Sequence, residues 1–278
     1  MDKKVDFFLA GFQKCATSWI YECLKDHPDV FVPSIDATHF FTINHDRGGD
    51  WYHSFYSEYG GEKAVGDTTP TYAKSSLAAR RIKAYNEEAK VIFSLRNPID
   101  RAFSHYWHEK KKEKIKFSFD EAAGHRGVGN HDLFDNWIKT GFYDLHIDKY
   151  AELLDEDNML IVLFDDLKEA PSNFISSIYE FIGVDPSHKP DVLNTRVNSA
   201  WHRLFGVGRF KEEARDILLR PVKAISNTAA ARMRNYLHVQ SEYERGMSSE
   251  TRARLQSIYR PHIAALEDRL DRSLESWI

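Results

Sequence analysis

The stretch from Phe7 to Trp19, FFLAGFQKCATSW, places a glycine, a lysine and two hydroxyl residues directly after a short apolar run. A turn of this kind between a strand and a helix leaves backbone N–H groups at the helix N-terminus, where the helix dipole also favours an anion. Lys14 adds a positive charge, and Thr17 and Ser18 add hydroxyl donors. These residue types suit a phosphate or a sulfate.

The order of these residues differs from that of a nucleoside-triphosphate P-loop, which reads G-x-x-x-x-G-K-[ST]. Gly11 opens the turn, but Lys14 comes early and Ala16 stands where a glycine is expected. The lysine-hydroxyl order that holds Mg²⁺ is missing, and the chain has neither HExxH nor paired CxxC. We therefore predict an anion site without a metal. For this stretch taken alone, an ordinary strand-to-helix turn with a solvated lysine is the alternative.

A second pair of anion-binding residue types follows the apolar run 91–95. Arg96 comes at the end of this predicted strand, and Ser104 lies about two turns into the helix predicted from Pro98. An arginine fork matches a phosphate, and a serine hydroxyl can complete the cage. We expect both to face one pocket above the sheet. A strand-end ion pair is the alternative for Arg96; Arg101 competes for the pocket, although a salt bridge on the helix surface is its expected role.

Three apolar runs, each followed by a helical pattern, must position these residues. The runs are 5–10, 91–95 and 159–164, and the helices are expected over 16–26, from Pro98 onward and from Pro171 to about Ile182. Repeated strand–helix units predict an α/β fold with a parallel sheet covered on both faces, with ligands bound at the carboxyl ends of the strands. A further helix is expected over 248–270, interrupted by Pro261. We predict a single domain over 1–278.

Composition and charge argue against several classes of protein. The 278 residues carry a formal net charge of −4, which disfavours a nucleic-acid-binding surface. No window approaches the ~18–20 uninterrupted apolar residues of a membrane helix, and the apolar run near the N-terminus is too short for a signal peptide. The two cysteines, Cys15 and Cys23, favour a reducing compartment. We expect a cytoplasmic protein that binds neither nucleic acid nor membrane; its oligomeric state is not predicted.

Five stretches of the chain resemble the sulfotransferases that use 3′-phosphoadenosine 5′-phosphosulfate (PAPS). FFLAGFQKCATSW is similar to their 5′-phosphosulfate loop, and VIFSLRNPIDRAFSHYWH to their 3′-phosphate-binding strand and helix. In the carbohydrate-type and bacterial branch, VGDTTPTY resembles the E-K-[ST]-P-x-Y segment, and TGFYDLHIDKYAELLDEDNMLIVLFDDL the G-x-Y-x-x-x-L helix and next strand. The ending LQSIYRPHIAALEDRLDRSLESW is also similar. The resemblance covers nearly the whole chain and implies a P-loop NTPase-like three-layer fold.

The resemblance also implies roles for the matching residues. Lys14 would contact the bridging oxygen between phosphate and sulfate, and Arg96 and Ser104 would hold the 3′-phosphate. Arg203, in RVNSAWHR, matches the later 3′-phosphate loop less closely. The residues around the 5′-phosphate would be Gly11, Ala16, Thr17, Ser18 and Trp19. No metal is implied, because positioning and charge stabilisation do most of the work in a loose in-line transfer.

The acceptor must lose a proton, and two residues are candidates for the base. In the carbohydrate branch a glutamate occupies the position matched by Asp67, whose shorter side chain departs from that pattern. Asp67 could instead cap the turn before Pro70. His39, in the segment DATHFF, is the second candidate, because imidazole suits proton abstraction near neutral pH.

We therefore predict a sulfotransferase that moves a sulfuryl group from PAPS to an acceptor hydroxyl, or to an amine or carbamoyl nitrogen, by in-line displacement. The acceptor is a small molecule or a carbohydrate, and the product adenosine 3′,5′-bisphosphate (PAP) is expected to stay tightly bound. The alternatives are a P-loop kinase using ATP and a nucleotide-binding module without transfer activity. The kinase requires the G-K-[ST] order that is absent, and the presence of Lys14 and Asp67 argues against the module.

Overall fold

A computed structural model describes residues 4–35, 37–110, 117–124, 134–193 and 246–278. Its centre is a sheet of five parallel strands in the order β2-β3-β1-β4-β5. The strands are β1 (Phe7–Gly11), β2 (Val30–Phe31), β3 (Ala64–Asp67), β4 (Lys90–Leu95) and β5 (Met159–Leu163). This sheet confirms the predicted α/β fold class.

Nine α-helices accompany the strands among the described residues. In chain order they are α1 (Thr17–Asp26), α2 (Gly49–Ser54), α3 (Ser76–Tyr85), α4 (Pro98–Lys110), α5 (Phe119–Gly124), α6 (Tyr143–Ala151), α7 (Phe164–Glu169), α8 (Pro171–Ile182) and α9 (Ser249–Leu270). Of these, α1, α4, α8 and α9 are the ones that the sequence pattern predicts. Among the described residues, no helix is both long and apolar enough to cross a membrane.

Strand β1 lies between two hydrophobic clusters, because alternate side chains of a strand point to opposite faces. Phe8 and Ala10 belong to the cluster that contains buried residues of α3, α4, α6 and α9. Phe7 and Leu9 belong to the cluster built with α1 and α8. The sheet is thus the middle of three layers, and the carboxyl ends of its strands remain as the edge at which loops can form a site.

Some features of the fold differ from the sequence predictions. The strands β2 and β3 were not predicted, because two and four residues are too few for a clear periodicity. The predicted interruption at Pro261 was wrong, since α9 runs through that residue. Tyr259 and Ile263, on either side of the proline, are both buried. Their packing outweighs the one backbone hydrogen bond that proline cannot make.

Gly141 lies where the chain passes between the start of α4 and the middle of α9. A Cβ atom at this position would lie 2.8 Å from Cβ of Pro98 and 2.8 Å from Cε1 of Tyr259. Tyr259 also donates its hydroxyl hydrogen bond to the carbonyl of Ile138 at 2.9 Å. Any side chain at position 141 would therefore push apart two helices of the core.

We predict that Gly141→Ala lowers the free energy of unfolding by roughly 1–3 kcal/mol, because it overpacks this contact. Urea denaturation measures the change. Gly49→Ala is the matched control, since a Cβ there would meet nothing within 4 Å, and it should change stability by less than about 0.5 kcal/mol. A Gly141→Ala variant as stable as the control would contradict the tight packing.

Candidate active site

Three neighbouring strands bring the predicted site residues to one edge of the sheet. Gly11 ends β1, Asp67 ends β3, and Arg96 follows β4, and the sheet order places β1 between the other two. Gly11 also allows a close approach of its loop to the segment after β3. A Cβ there would lie only 2.6 Å from Cβ of Ala73 and 3.2 Å from the carbonyl oxygen of Pro70.

The loop between β1 and α1 has the backbone shape of an anion cradle. Lys14 and Ala16 both adopt the left-handed conformation, with φ of 72° and 65°. Within the described part of the chain, the N–H groups of Thr17 and Ser18 have no acceptor. A turn containing left-handed residues at a helix N-terminus turns successive N–H groups toward a common point. Ala16 thus takes the conformation that a glycine would adopt in a P-loop.

Strand β4 holds this loop in place. The N–H of Phe12 donates to the carbonyl of Ser94 at 2.9 Å, and the Ser94 hydroxyl donates to the carbonyl of Cys15 at 2.5 Å. The side chains of Ser94 and Cys15 are both fully buried. The loop is therefore fixed relative to the strand that carries Arg96.

Trp19 lies beneath the loop and has no N–H group left for an anion. Its backbone N–H donates to the carbonyl of Ala16 at 2.9 Å, and its indole Nε1 to the carbonyl of Val192 at 3.2 Å. Its ring packs on Phe174. Trp19 is thus part of the core that supports α1, and both of its N–H groups already donate to carbonyl groups of the protein. Its predicted place beside the 5′-phosphate stays a prediction.

Arg96 is held at the end of β4 by its neighbours. Its guanidinium lies 4.9 Å from the centroid of the Phe164 ring, and its carbonyl accepts a hydrogen bond from the hydroxyl of Tyr143 at 2.8 Å. Asn97 caps α4 with its side chain and also binds the carbonyl of Trp277. The Arg96 Nε atom is buried without a partner in the described structure. A buried donor of this kind favours an anionic ligand.

Ser104 lies about two turns further along α4 and is half-buried. Its hydroxyl makes no hydrogen bond within the described ranges, and none joins it to Arg96. The shared pocket therefore stays a prediction. Arg203, the third residue predicted for the 3′-phosphate, lies outside the described residues.

Asp67 is fully buried and is surrounded by hydroxyl groups. Its Oδ1 accepts from Thr69 at 2.6 Å, and its Oδ2 from Thr38, Tyr52 and Tyr72 at 2.8, 3.0 and 3.1 Å. Burial raises the pKa of this carboxyl group, and the four hydroxyl donors oppose that rise. Asp67 was also predicted as a possible cap of the turn before Pro70. Its hydrogen bond with Thr69, the residue directly before the proline, is a contact within that turn.

His39 is half-buried and adopts a left-handed backbone conformation, with φ of 52°. Its Nδ1 lies 3.1 Å from the hydroxyl of Thr71, and its backbone N–H points to the hydroxyl of Thr69 at 3.5 Å. The structure therefore brings both predicted base candidates, His39 and Asp67, to the same segment, 67–72.

Arg101 is fully buried, so the predicted salt bridge on the helix surface is wrong. Its Nη2 donates to the carbonyl of Trp137, and its Nη1 lies 3.5 Å from Nδ1 of His105. Within the described ranges it forms no salt bridge with a carboxylate, and its buried Nε has no partner. The helical i, i+4 spacing of Arg101 and His105 was the one signal in the sequence that joins them.

The charge of Arg101 adds to a positive region beside Lys14. Burial and the charges of Arg101, Lys14 and Lys74 lower the pKa of His105 to about 2. Burial and Arg101 also lower the pKa of Lys74. No carboxylate pairs with Lys74 or His105 in the part of the chain described. Arg101 and Lys74, two cations without a carboxylate partner within the described ranges, favour an anionic ligand at this edge.

These groups fit a ligand with two separate anionic ends. Lys14 and the N–H groups of Thr17 and Ser18 suit one end, and the unpaired Nε of Arg96 suits the other. In the described ranges, no three histidine, cysteine, aspartate or glutamate side chains are grouped as a metal site would require. Fold and site thus define a protein of the P-loop-like α/β class, with residues suited to an anion at the carboxyl edge of its sheet.

Comparisons with known proteins identify the family. The model of the sulfotransferase domain matches residues 4–266, so the chain belongs to the sulfotransferase family. The chain is 29% identical to heparan sulfate glucosamine 3-O-sulfotransferase 6 of Homo sapiens over 63% of its own length and 51% of the relative. It is 26% identical to bifunctional heparan sulfate N-deacetylase/N-sulfotransferase 4 of Mus musculus over 98% of its length and 31% of the relative. The chain thus spans about half or less of these curated relatives.

A solved structure supports the fold. The sulfotransferase from Alicyclobacillus acidocaldarius superposes with a TM-score of 0.73 over 99% of both chains, at 22% sequence identity. With the family match, this confirms the predicted P-loop NTPase-like fold. The predicted membership in the sulfotransferase family is confirmed.

The low pKa of His105 predicts how stability depends on pH. The folded protein keeps this imidazole neutral down to a pKa of about 2, whereas the unfolded chain takes up a proton near the ordinary value of 6.5. Protons therefore favour the unfolded state as the pH falls below about 6.5, and His105 has no such effect above that pH. Between pH 7.5 and pH 5.0, this one group should cost about 2 kcal/mol.

Urea denaturation of His105→Gln at these two pH values tests the prediction. The loss of stability from pH 7.5 to pH 5.0 should be smaller than in the wild type by about 2 kcal/mol. His108→Gln, at an exposed position on the same helix, is the control and should leave that difference unchanged. An equal loss in wild type and His105→Gln would show that the histidine takes up a proton in the folded state.

Proposed function

We propose that this chain transfers a sulfuryl group from PAPS to a hydroxyl or amino group of a carbohydrate or small-molecule acceptor, by in-line displacement. One observation carries the proposal: Lys14 lies in a loop whose N–H groups at Thr17 and Ser18 have no acceptor among the described residues, beside the buried Arg101, which forms no salt bridge with a carboxylate in those ranges. Such a site stabilises the negative charge that grows on a departing phosphate.

Each residue then has a role toward the donor. Lys14 neutralises charge at the oxygen that bridges sulfur and phosphorus, and Thr17 and Ser18 bind the 5′-phosphate with Gly11 and Ala16 shaping the turn. Arg96 and Ser104 bind the 3′-phosphate. When bound, the donor supplies the activated sulfuryl group, and the protein supplies position and charge. Nothing in the sequence or the comparisons favours the kinase alternative.

A carbohydrate acceptor is supported by the relatives, whose names describe heparan sulfate sulfotransferases, one of them a glucosamine 3-O-sulfotransferase. A hydroxyl and an amino group are both included, because one relative is a 3-O-sulfotransferase and the other an N-sulfotransferase. We also propose a single domain in the cytoplasm. Cys15 and Cys23, which are unpaired and buried, support a reducing compartment.

Incubation of the purified protein with PAPS and a panel of glucosamine-containing oligosaccharides and small alcohols or amines tests the proposal. Sulfuryl transfer adds a sulfate mass to one acceptor and releases one equivalent of PAP. ATP in place of PAPS should add no phosphate mass, with or without Mg²⁺. A protein that binds PAP but sulfates nothing in a broad panel would instead fit the nucleotide-binding module.

Lys14→Ala should lower kcat by a factor of about 10² to 10³, because one preorganised charge at the leaving oxygen is lost. Affinity for PAP, measured by calorimetry, should change much less, since PAP lacks the bridging oxygen. Lys25→Ala, on the exposed part of α1, is the control and should leave both values unchanged. Unchanged turnover in a Lys14→Ala protein that binds PAP normally would contradict the role of this lysine.

Arg96→Ala should weaken PAP binding by roughly 10- to 100-fold, which corresponds to about 1.5–3 kcal/mol for a charge-assisted hydrogen bond. Binding of adenosine 5′-monophosphate should change little, because that nucleotide has no 3′-phosphate. Calorimetry with both nucleotides separates a local effect from a damaged fold. If the variant loses affinity equally for both, Arg96 does not bind the 3′-phosphate.

A further inference from the structure

We infer that His39 is the base that takes the acceptor proton, and that Asp67 is a positioning residue that acts through His39. This assignment rests on the proposed function and chooses between two candidates that the sequence left open. Four observations on the described residues support it: the burial of Asp67, its hydroxyl partners, the backbone conformation of His39 and the contact of His39 with Thr71.

Asp67 is poorly suited to take a proton from an acceptor. None of its surface is exposed, and its two oxygens already accept four hydroxyl hydrogen bonds from Thr38, Thr69, Tyr52 and Tyr72. A base must come within hydrogen-bond reach of the proton that it abstracts. An acceptor could reach Asp67 only by displacing these partners, which are themselves almost entirely buried.

The same hydroxyl groups fix the backbone of His39. Thr38 donates its hydroxyl to Asp67 and its N–H to the hydroxyl of Thr69 at 3.1 Å. The hydroxyl oxygen of Thr69 also lies 3.5 Å from the backbone nitrogen of His39, and this hydroxyl donates to Oδ1 of Asp67. Asp67 therefore ties residues 38–39 to the segment after β3.

The conformation of His39 depends on this support. A histidine with φ of 52° is strained and persists only where the surrounding contacts hold it. On its carboxyl side, the His39 carbonyl accepts from the N–H of Thr42 at 3.2 Å and from that of Asn44 at 3.1 Å. Asn44 also donates its side-chain amide to the carbonyl of Thr38 at 2.8 Å. The peptide is thus anchored on both sides of the imidazole.

Thr71 sets the orientation of the imidazole. Nδ1 of His39 lies 3.1 Å from the Thr71 hydroxyl, and within the described part of the chain Nε2 has no hydrogen-bond partner. We assign the ring proton to Nδ1, so that it donates to Thr71 and leaves the lone pair of Nε2 for the acceptor. The neighbour of a histidine nitrogen selects the tautomer in this way.

The proposed step transfers the sulfuryl group from PAPS to the acceptor. The acceptor oxygen or nitrogen forms a bond to sulfur while the bond from sulfur to the bridging oxygen breaks, and that electron pair remains on the 5′-phosphate of PAP. The acceptor proton passes to Nε2 of His39, which becomes a cation, and water later removes this proton. Nothing is oxidised or reduced.

A double-mutant cycle tests the assignment, with transfer of labelled sulfate from PAPS to a desulfated heparan sulfate oligosaccharide as the assay. His39→Ala should lower kcat by 10² to 10⁴-fold, the usual contribution of a general base. Its affinity for PAP should stay within threefold of the wild type, and added imidazole should restore part of kcat. Asp67→Asn should also lower kcat, but in a His39→Ala background it should cause little further loss.

Thr71 offers a second test that spares the buried carboxylate. Thr71→Val removes the acceptor for Nδ1–H and should lower kcat by at least tenfold at unchanged KM for PAPS. Thr71→Ser, which keeps the hydroxyl, should recover most of that loss. Nitrogen-15 NMR of the His39 ring should show the Nδ1–H tautomer in the wild type and in Thr71→Ser, and a larger Nε2–H fraction in Thr71→Val.

The outcomes separate this assignment from the proposed function. If the wild type sulfates the oligosaccharide and His39→Ala does so equally well, the assignment is wrong and Asp67 is the better base. If Asp67→Asn causes the same fold loss with and without His39, Asp67 does not act through the histidine. A wild type that binds PAP no better than adenosine 5′-monophosphate and transfers no sulfate would instead overturn the proposed function.

Discussion

The buried positive charge of Arg101, which forms no salt bridge with a carboxylate among the described residues, is the constraint on which the site at the carboxyl edge of β1 and β4 depends. Arg101 is fully buried, and it shares this region with Lys14, Lys74 and the neutral His105. Buried charges are costly unless they are paired, so such a cluster is tolerated where an anion binds. The carbonyl of Trp137 accepts a hydrogen bond from Arg101, which offsets part of the desolvation energy of the guanidinium without neutralising its charge.

The neighbouring strand β3 carries a buried carboxyl group, that of Asp67, which forms no salt bridge with these cations within the described ranges. Asp67 lies on the strand next to β1, where a salt bridge to a lysine would be the simplest way to stabilise a carboxylate. The structure instead surrounds it with four hydroxyl groups, two from threonines and two from tyrosines. Neutral donors satisfy the carboxylate and leave the cations for a ligand. In the mechanism that we propose, the cations act on the donor and the network around Asp67 acts on His39.

Several parts of the fold and site follow from local sequence. The strand–loop–helix units at Gly11 and Arg96 were predicted because their apolar runs are short, are bounded by turn residues and lead into helical periodicity. The anion character of the loop at Lys14 was predicted for the same reason, since a helix N-terminus and its dipole are local properties. Even so, the left-handed conformation of Ala16 is visible only in the structure, because alanine rarely adopts it.

Other parts depended on contacts between residues distant in the chain. The four residues of β3 are too few to show a strand periodicity. Asp67 was therefore predicted near the site only from the family resemblance. Arg101 was expected on a helix surface, because helical periodicity does not show which other element packs on a given face of the helix. In the structure, the segment around Trp137 covers the face of α4 that carries Arg101. The place of Trp19 beside the phosphate stays a prediction, and its contacts with Val192 and Phe174 in the core are visible only in the structure.

By itself, the sequence determined the class of fold, the two strand–loop–helix units at Gly11 and Arg96 and the family, because each of these is written in consecutive residues with characteristic spacing. Only the tertiary structure decided that Asp67 is closed off by hydroxyl groups while His39 keeps one ring nitrogen without a partner among the described residues. The physical reason is that burial and hydrogen-bond satisfaction are set by side chains from 38, 52, 69 and 72 together. No local pattern in the chain records how these four hydroxyl groups converge on one carboxylate.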